Sequence, residues 1–551
     1  MFNRKVHTPA LLRAFVILIA AICLLPMLTA AITAFMGDLE TIRDLGRTVL
    51  WRYTYTTLLM AAIVGIGTAI IGTGTAWLVT ATEFPGRGVL TVTLALPLAF
   101  PAYVLGYAYT DFLDHPGAVQ TALRAIMGWG PRDYWFPEIR SVGGASIMLI
   151  LVLYPYVYLL ARAAFLQQSS TAYLAARALG QSPRQAFFRV ALPLARPAIA
   201  GGVLLSVMET LADFGTVSYF GVQSFATGIY TSFVANNDRG AAAQLALCLL
   251  VFALILAVLE HHQRGNARHH NAGQKHEPLG PAHLKGAAKW GAFAFCALPV
   301  LLGFVLPVIL LLELAIGSEQ DLLSKRYRGF VQNSLSLAGI AALITVSAAI
   351  ALSMIHRLVP SALTTSVKNI ARIGYAVPGT VIAVGLFVPF ALFDNRLDAF
   401  MEARFGIDTG LLITGSIWLL VIAYMVRFLA AALGTYESGL SSLHKHTDEV
   451  ARSLGAKTQE VVTRVHLPIL RPTILTALLI VFVDVMKELP ATLMMRPFNW
   501  DTLAVQAHRL AADERLEGAA VPSLVILAVG LIPVTLVCRQ LGKSLKTVRR
   551  A

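Results

Sequence analysis

The run Leu174-Ala-Ala-Arg-Ala-Leu-Gly180 is followed after nine residues by Val190-Ala-Leu-Pro193 and then Arg196-Pro197. A second version reads Glu449-Val-Ala-Arg-Ser-Leu-Gly455, then after nine residues Val465-His-Leu-Pro468 and Arg471-Pro472. The differences 455 − 180, 468 − 193 and 471 − 196 all equal 275. One register held across such separated segments marks an internal duplication, and the two halves are expected to share one fold. In each copy small residues keep a helix face narrow, Gly180 and Gly455 permit the turn that ends the helix, and Pro193 and Pro468 mark where a new helix begins.

Working outward, the 551 residues are 57% hydrophobic and 13% charged, with a mean hydropathy of +0.69, far too apolar for a soluble domain. Apolar windows of roughly 20 residues place spans near 14–36, 55–80, 89–112, 143–165, 198–221 and 240–259. The second half adds 290–316, 331–355, 371–393, 410–432, 473–495 and 520–538. This is an all-α integral membrane chain of about twelve transmembrane helices in two six-helix repeats. Residues 1–259 form the first half, 260–289 a His-rich linker and 290–551 the second half.

The net charge of +14 does not point to nucleic acid, because the basic residues cluster between apolar runs without interleaved aromatics. They report orientation instead. The loop 161–197 carries Arg162, Arg177, Arg184, Arg189 and Arg196 and no acid, and the C-terminal tail carries Arg539, Lys543, Lys546, Arg549 and Arg550. Both are expected in the cytoplasm, with both termini there too. An even number of spans per half makes the repeats parallel, about an axis normal to the membrane. The linker histidines, His261, His262, His269, His270, His276 and His283, follow no ligand spacing and read as a solvated joint, so no metal site is expected. Cys23, Cys248, Cys296 and Cys538 sit in or beside apolar runs, without C-x-x-C spacing. Gly542-Lys543-Ser544 lacks the earlier glycine of a phosphate loop, and ATP is not expected on this chain.

Four acids are hard to explain as filler. Glu209 and Asp213 lie four residues apart in the fifth span, Asp484 and Glu488 in the eleventh, and each pair is related by the same 275. That spacing puts both acids on one helix face, just before a breaker, Gly215 or Pro490. A charge at the centre of a bilayer costs roughly 2.5 to 3.5 kcal/mol on insertion scales, so these acids are expected to line or gate a path through the protein.

The duplicated run resembles the E-A-A-x-x-x-G-x9-I-x-L-P loop of permease subunits in bacterial ATP-driven (ABC) importers. The resemblance implies that Ala175, Ala176, Gly180 and Pro193, with Glu449, Ala451, Gly455 and Pro468, form short cytoplasmic helices that dock into an ATPase subunit. The first copy departs from the pattern, carrying Leu174 where the family has Glu. Glu209-Thr-Leu-Ala-Asp-Phe-Gly-Thr216, Phe225-Ala-Thr-Gly-Ile-Tyr230, Lys487-Glu-Leu-Pro-Ala-Thr-Leu493 and Arg496-Pro-Phe-Asn-Trp-Asp-Thr-Leu-Ala504 look like the fused two-domain permeases of ferric iron importers. That resemblance implies ferric iron delivered by a periplasmic binding protein, a type I importer fold in the inner membrane, and ATP hydrolysis on separate partner subunits, two copies of one ATPase. Alternatives are a permease for thiamine, sulfate or a polyamine, and an ion-coupled secondary transporter. No H-E-x-x-H or nucleophile elbow suggests an enzyme.

Overall fold

The computed structural model describes residues 10–168, 170–268, 282–318, 320–321, 324–441 and 443–550. The linker residues His269, His270 and His276 lie outside the described residues. Eleven described helices are long and apolar enough to cross a membrane, or twelve if the bent pair Arg87–Ala99 and Ala102–Met127 counts as one span. All twelve expected spans have a counterpart.

Two boundaries moved for a common reason. The windows 89–112 and 371–393 run straight over breaks at Phe100-Pro101 and Val377-Pro378, where the residue before each proline is extended (ψ 135° and 119°). Proline disfavours the helical conformation of its predecessor, while an apolar window registers no interruption. New helices therefore start at Ala102 and Gly379. The first of the two pairs bends by 95°.

The chain resolves into two compact units. One joins Asp321–Val505 to Met1–Leu45 and Ile229–Val251; the other joins Gly46–Gly228 to Phe252–Gln320 and Gln506–Ala551. Since 321 − 46 is 275, each unit is built on the same stretch of the repeat, supplemented by the first and last helices of the other half. Repeat and packing unit thus divide the chain differently.

Each unit has the same three-helix core. In one, Leu50–Ala81, Val142–Gln167 and Leu192–Ala212 pack mutually; in the other, Lys325–Leu358, Trp418–Ser441 and Leu467–Met486 do so. Small residues set the spacing, as expected of membrane helices, which lack a hydrophobic drive toward one another. A side chain at Gly72 would sit 2.9 Å from the Tyr154 carbonyl, and one at Gly202 would sit 2.7 Å from the Val157 Cα. Three buried hydroxyls bond inside their own helix: Thr68, Thr75 and Thr80 donate to the carbonyls of Val64, Ile71 and Ala76 at 2.7–2.8 Å.

The borrowed helices pack closely. Ala10–Met36 lies on Gly379–Phe405, where Gly385 admits the Pro26 carbonyl and Thr29 Oγ1 donates to the Gly385 carbonyl. Leu306–Ile316 lies on Ala102–Leu113 and on Leu516–Arg550. The helix Arg239–Arg268 runs into the linker, and Ala282–His283 at its far end pairs in parallel with Thr82–Glu83.

Candidate functional site

The two duplicated loops fold alike. Ser170–Ala178 and Lys445–Ser453 are short helices offset by 275 at both ends. Each stops at a glycine in the left-handed region, Gly180 with φ 84° and Gly455 with φ 88°. The same pair of closing bonds follows: Gly180 N–H donates to the Arg177 carbonyl (3.1 Å) and Gln181 N–H to that of Ala176 (3.1 Å). In the other loop Gly455 donates to Arg452 (3.0 Å) and Ala456 to Ala451 (3.0 Å). This is the Schellman closure that a glycine makes cheap.

The next helix is capped from its third residue in both copies. Gln185 Oε1 accepts from Ser182 N–H (2.9 Å), and Glu460 Oε2 accepts from Lys457 N–H (2.8 Å). Pro193 and Pro468 stand at the second position of the helices Leu192–Ala212 and Leu467–Met486, where a new helix is expected. Each follows a π-turn, Phe187–Ala191 or Val461–His466, that joins it to the preceding short helix in one rod running on into the membrane. A proline ring collides with the carbonyl four residues back and supplies no N–H, and the widened turn before it relieves both problems.

Ala176 is buried, Ala451 and Pro193 are half-buried, and Ala175, Glu449, Gly180, Gly455 and Pro468 are exposed. At the tips, Leu179 and Leu454, a repeat-related pair, are 84% and 83% exposed. Each follows the end of its short helix. Nothing lies within 4 Å of a side chain added at Gly180 or Gly455, so alanine there meets only backbone strain. We expect Gly180→Ala and Gly455→Ala each to lower stability by about 1 kcal/mol, read as a fall in the melting temperature of the purified chain; no fall would mean the turns relax freely.

A residue set that sequence reasoning missed anchors the second loop. Arg357 donates through Nε to Asp448 Oδ2 (2.8 Å) and through Nη2 to Oδ1 (3.2 Å), and also reaches the carbonyls of Leu440 (3.2 Å) and Leu443 (3.4 Å). His466 Nε2 lies 2.6 Å from Asp448 Oδ1, and its Nδ1 lies 3.2 Å from Met354 Sδ. Burial of Asp448 works to raise its pKa, but the bonds from Arg357 and His466 outweigh it and hold the carboxyl below its ordinary 3.8. A depressed carboxylate pKa contributes stability that is full above 3.8 and is lost as pH falls through the lower folded value.

The four acids divide by role. The fifth-span helix ends at Ala212 and the eleventh at Met486, so Asp213 and Glu488 stand in the breaks, ahead of Gly215 and Pro490. Asp213 accepts from the N–H of Thr216 (3.0 Å) and Val217 (3.1 Å), and from the Thr216 hydroxyl (2.9 Å). Glu488 accepts from the N–H of Ala491 (3.0 Å) and Thr492 (3.1 Å), from the Thr492 hydroxyl (2.7 Å), and from Arg427 Nη1 (3.2 Å). Each caps the short helix beyond its break, Gly215–Tyr219 or Pro490–Met495. A carboxylate there meets the free N–H groups and positive pole of a helix start. Glu209 and Asp484 remain in the preceding helices, half-buried, and Asp484 pairs with Lys487 at 3.0 Å.

The family model described as "Binding-protein-dependent transport system inner membrane component" matches residues 83–265 and again 344–546, once in each half. The Fe(3+)-transport system permease protein FbpB 2 of Haemophilus influenzae is 25% identical over 533 residues, covering 96% of this chain and 98% of that protein. The ferric transport system permease protein FbpB of Actinobacillus pleuropneumoniae is 23% identical, covering 90% of this chain and 72% of its own length. The sulfate transport system permease protein CysW of Escherichia coli is 30% identical over 200 residues, 36% of this chain and 66% of its own.

Proposed function

Because this chain belongs to the family of binding-protein-dependent transport system inner membrane components, we propose that it is the permease of an ATP-driven importer that moves ferric iron from a periplasmic binding protein into the cytoplasm by alternating access. The observation that carries the reading is the pair of matched docking loops, each presenting an exposed leucine just past a short helix. A large apolar side chain left bare at the same place in both copies suits a surface that a partner covers. That partner is an ATPase subunit, one copy per loop. ATP is bound and hydrolysed there and not on this chain.

The cargo assignment rests on relatives named for ferric transport that match the chain nearly end to end, whereas the sulfate permease matches about a third of it. Carboxylate oxygens are hard donors and suit Fe(III). We place both docking loops and both chain ends in the cytoplasm, following the acid-free basic loop 161–197. Residues 1–259 and 290–551 are read as duplicated halves joined by 260–289. Glu209, Asp213, Asp484 and Glu488 border the cargo path in this reading, Asp213 and Glu488 setting the helix breaks, with Glu209 and Asp484 one turn earlier.

The test is reconstitution in vesicles with the ATPase and candidate binding proteins. We expect labelled ferric iron to enter only with ATP and binding protein present, while thiamine, sulfate and polyamines do not enter. Iron entry that needed neither ATP nor the binding protein would point to a secondary transporter, and entry of sulfate alone would replace the cargo.

A further inference from the structure

Asp448 is the meeting point of three helices in one unit. It stands in the first turn of the docking helix Lys445–Ser453. Its Oδ2 is held by Arg357, near the end of Lys325–Leu358, and its Oδ1 is shared between Arg357 and His466. His466 closes the π-turn that leads into Leu467–Met486 and is fully buried. A carboxylate only accepts, so His466 Nε2 must carry the hydrogen that it shares with Asp448. The remaining Arg357 donors reach the carbonyls of Leu440, Leu443 and His444, where the preceding membrane helix ends and the loop begins.

The arrangement is directional. A planar guanidinium that grips both oxygens of one carboxylate fixes orientation as well as distance. The loop is thereby pinned at its entry by Arg357, at its first helical turn by Asp448 and at its exit by His466.

The repeat-related positions of the first half do not carry this set. Subtracting 275 from 357, 448 and 466 gives Thr82, Tyr173 and Ala191, which have no charge among them. There the docking helix is seated by rings: Trp77 packs against Tyr173 (5.7 Å between centroids), Phe187 (4.7 Å) and Phe165 (5.2 Å). Ring packing tolerates small sliding that a bidentate ion pair does not.

We propose that Asp448, clamped by Arg357 and His466, is the positioning residue that makes the second docking loop move as one piece with the membrane helices at its two ends. Force delivered to that loop therefore reaches the membrane helices with little slack. The proposal rests on the reading of this loop as an ATPase dock.

The experiment uses the full chain reconstituted with its ATPase and binding protein, and measures cargo entry and ATP hydrolysis in the same vesicles. Asp448→Asn keeps the shape of the side chain but removes the charge and presents an amide to a donor. The expected result is hydrolysis that continues while the ATP consumed per cargo rises about tenfold, within the usual range for coupling between two sites. Asp448→Glu restores part of the coupling. Should Asp448→Asn fail to fold, Arg357→Lys takes its place, since it keeps the charge and loses the fork. An unchanged ATP-to-cargo ratio in a folded variant overturns the joint, and so does a proportional loss of hydrolysis and entry. If the unaltered chain fails to co-purify with any ATPase, the docking reading itself falls, which separates the two outcomes.

Discussion

Glu488→Leu is expected to destabilise its unit by about 3–5 kcal/mol, the cost of leaving one member of a buried ion pair alone. The Glu488 side chain is 2% exposed and that of Arg427 is 14% exposed, so the pair is largely withdrawn from solvent. The loss is compound. The N–H groups of Ala491 and Thr492 lose their acceptor, the Thr492 hydroxyl loses one partner while keeping its 2.6 Å bond to Tyr424, and Arg427 is stranded. Thermal or denaturant unfolding of the detergent-solubilised chain reads this directly. Asp484→Asn is the control: its partner Lys487 is a half-buried neighbour three residues along, a type of pair that contributes less than about 1 kcal/mol. Equal losses from the two variants would mean that the cap and clamp carry no special weight.

Gly385→Val is the second large effect. A Cβ at Gly385 would stand 2.0 Å from the Pro26 carbonyl oxygen and 2.6 Å from its carbon, and those atoms belong to backbone, which cannot swing aside. Helix Ala10–Met36 must then lift from Gly379–Phe405, losing its packing there and the bond from Thr29 to the Gly385 carbonyl. Overpacking of this kind costs about 1–3 kcal/mol and more where backbone is involved. The expected readout is a lower melting temperature together with new protease sensitivity in residues 10–36. Gly434→Ala, in a helix of the same unit with nothing within 4 Å, is expected to be neutral or slightly stabilising. If Gly385→Val melted like the unaltered chain, the close approach of these helices would be disproved.

Much of this architecture was legible from local pattern. Twelve apolar windows matched twelve observed spans, and the 275-residue register predicted two loops that do share cap, turn and π-turn. Hydropathy could not place the breaks at Pro101 and Pro378, because those residues sit inside windows that are apolar throughout. Nor could it show that Asp213 and Glu488 leave their helices. The pattern i, i+4 assumes a helix that the acids themselves help to end by capping the next one.

What the sequence alone determined is the number of membrane spans, their duplication and the chemistry of the repeated turns. These depend on stretches of roughly 20 apolar residues and on single glycines and prolines, whose effects act within a few residues. Tertiary structure alone decided which helices share a unit. Only there does Met1–Leu45 join Asp321–Val505, and only there does Arg357 find Asp448 and His466. An apolar helix is equally at home against lipid or any apolar neighbour. The choice falls to close backbone approach, as at Gly385, and to directional bonds between residues far apart in the chain, neither of which a local window contains.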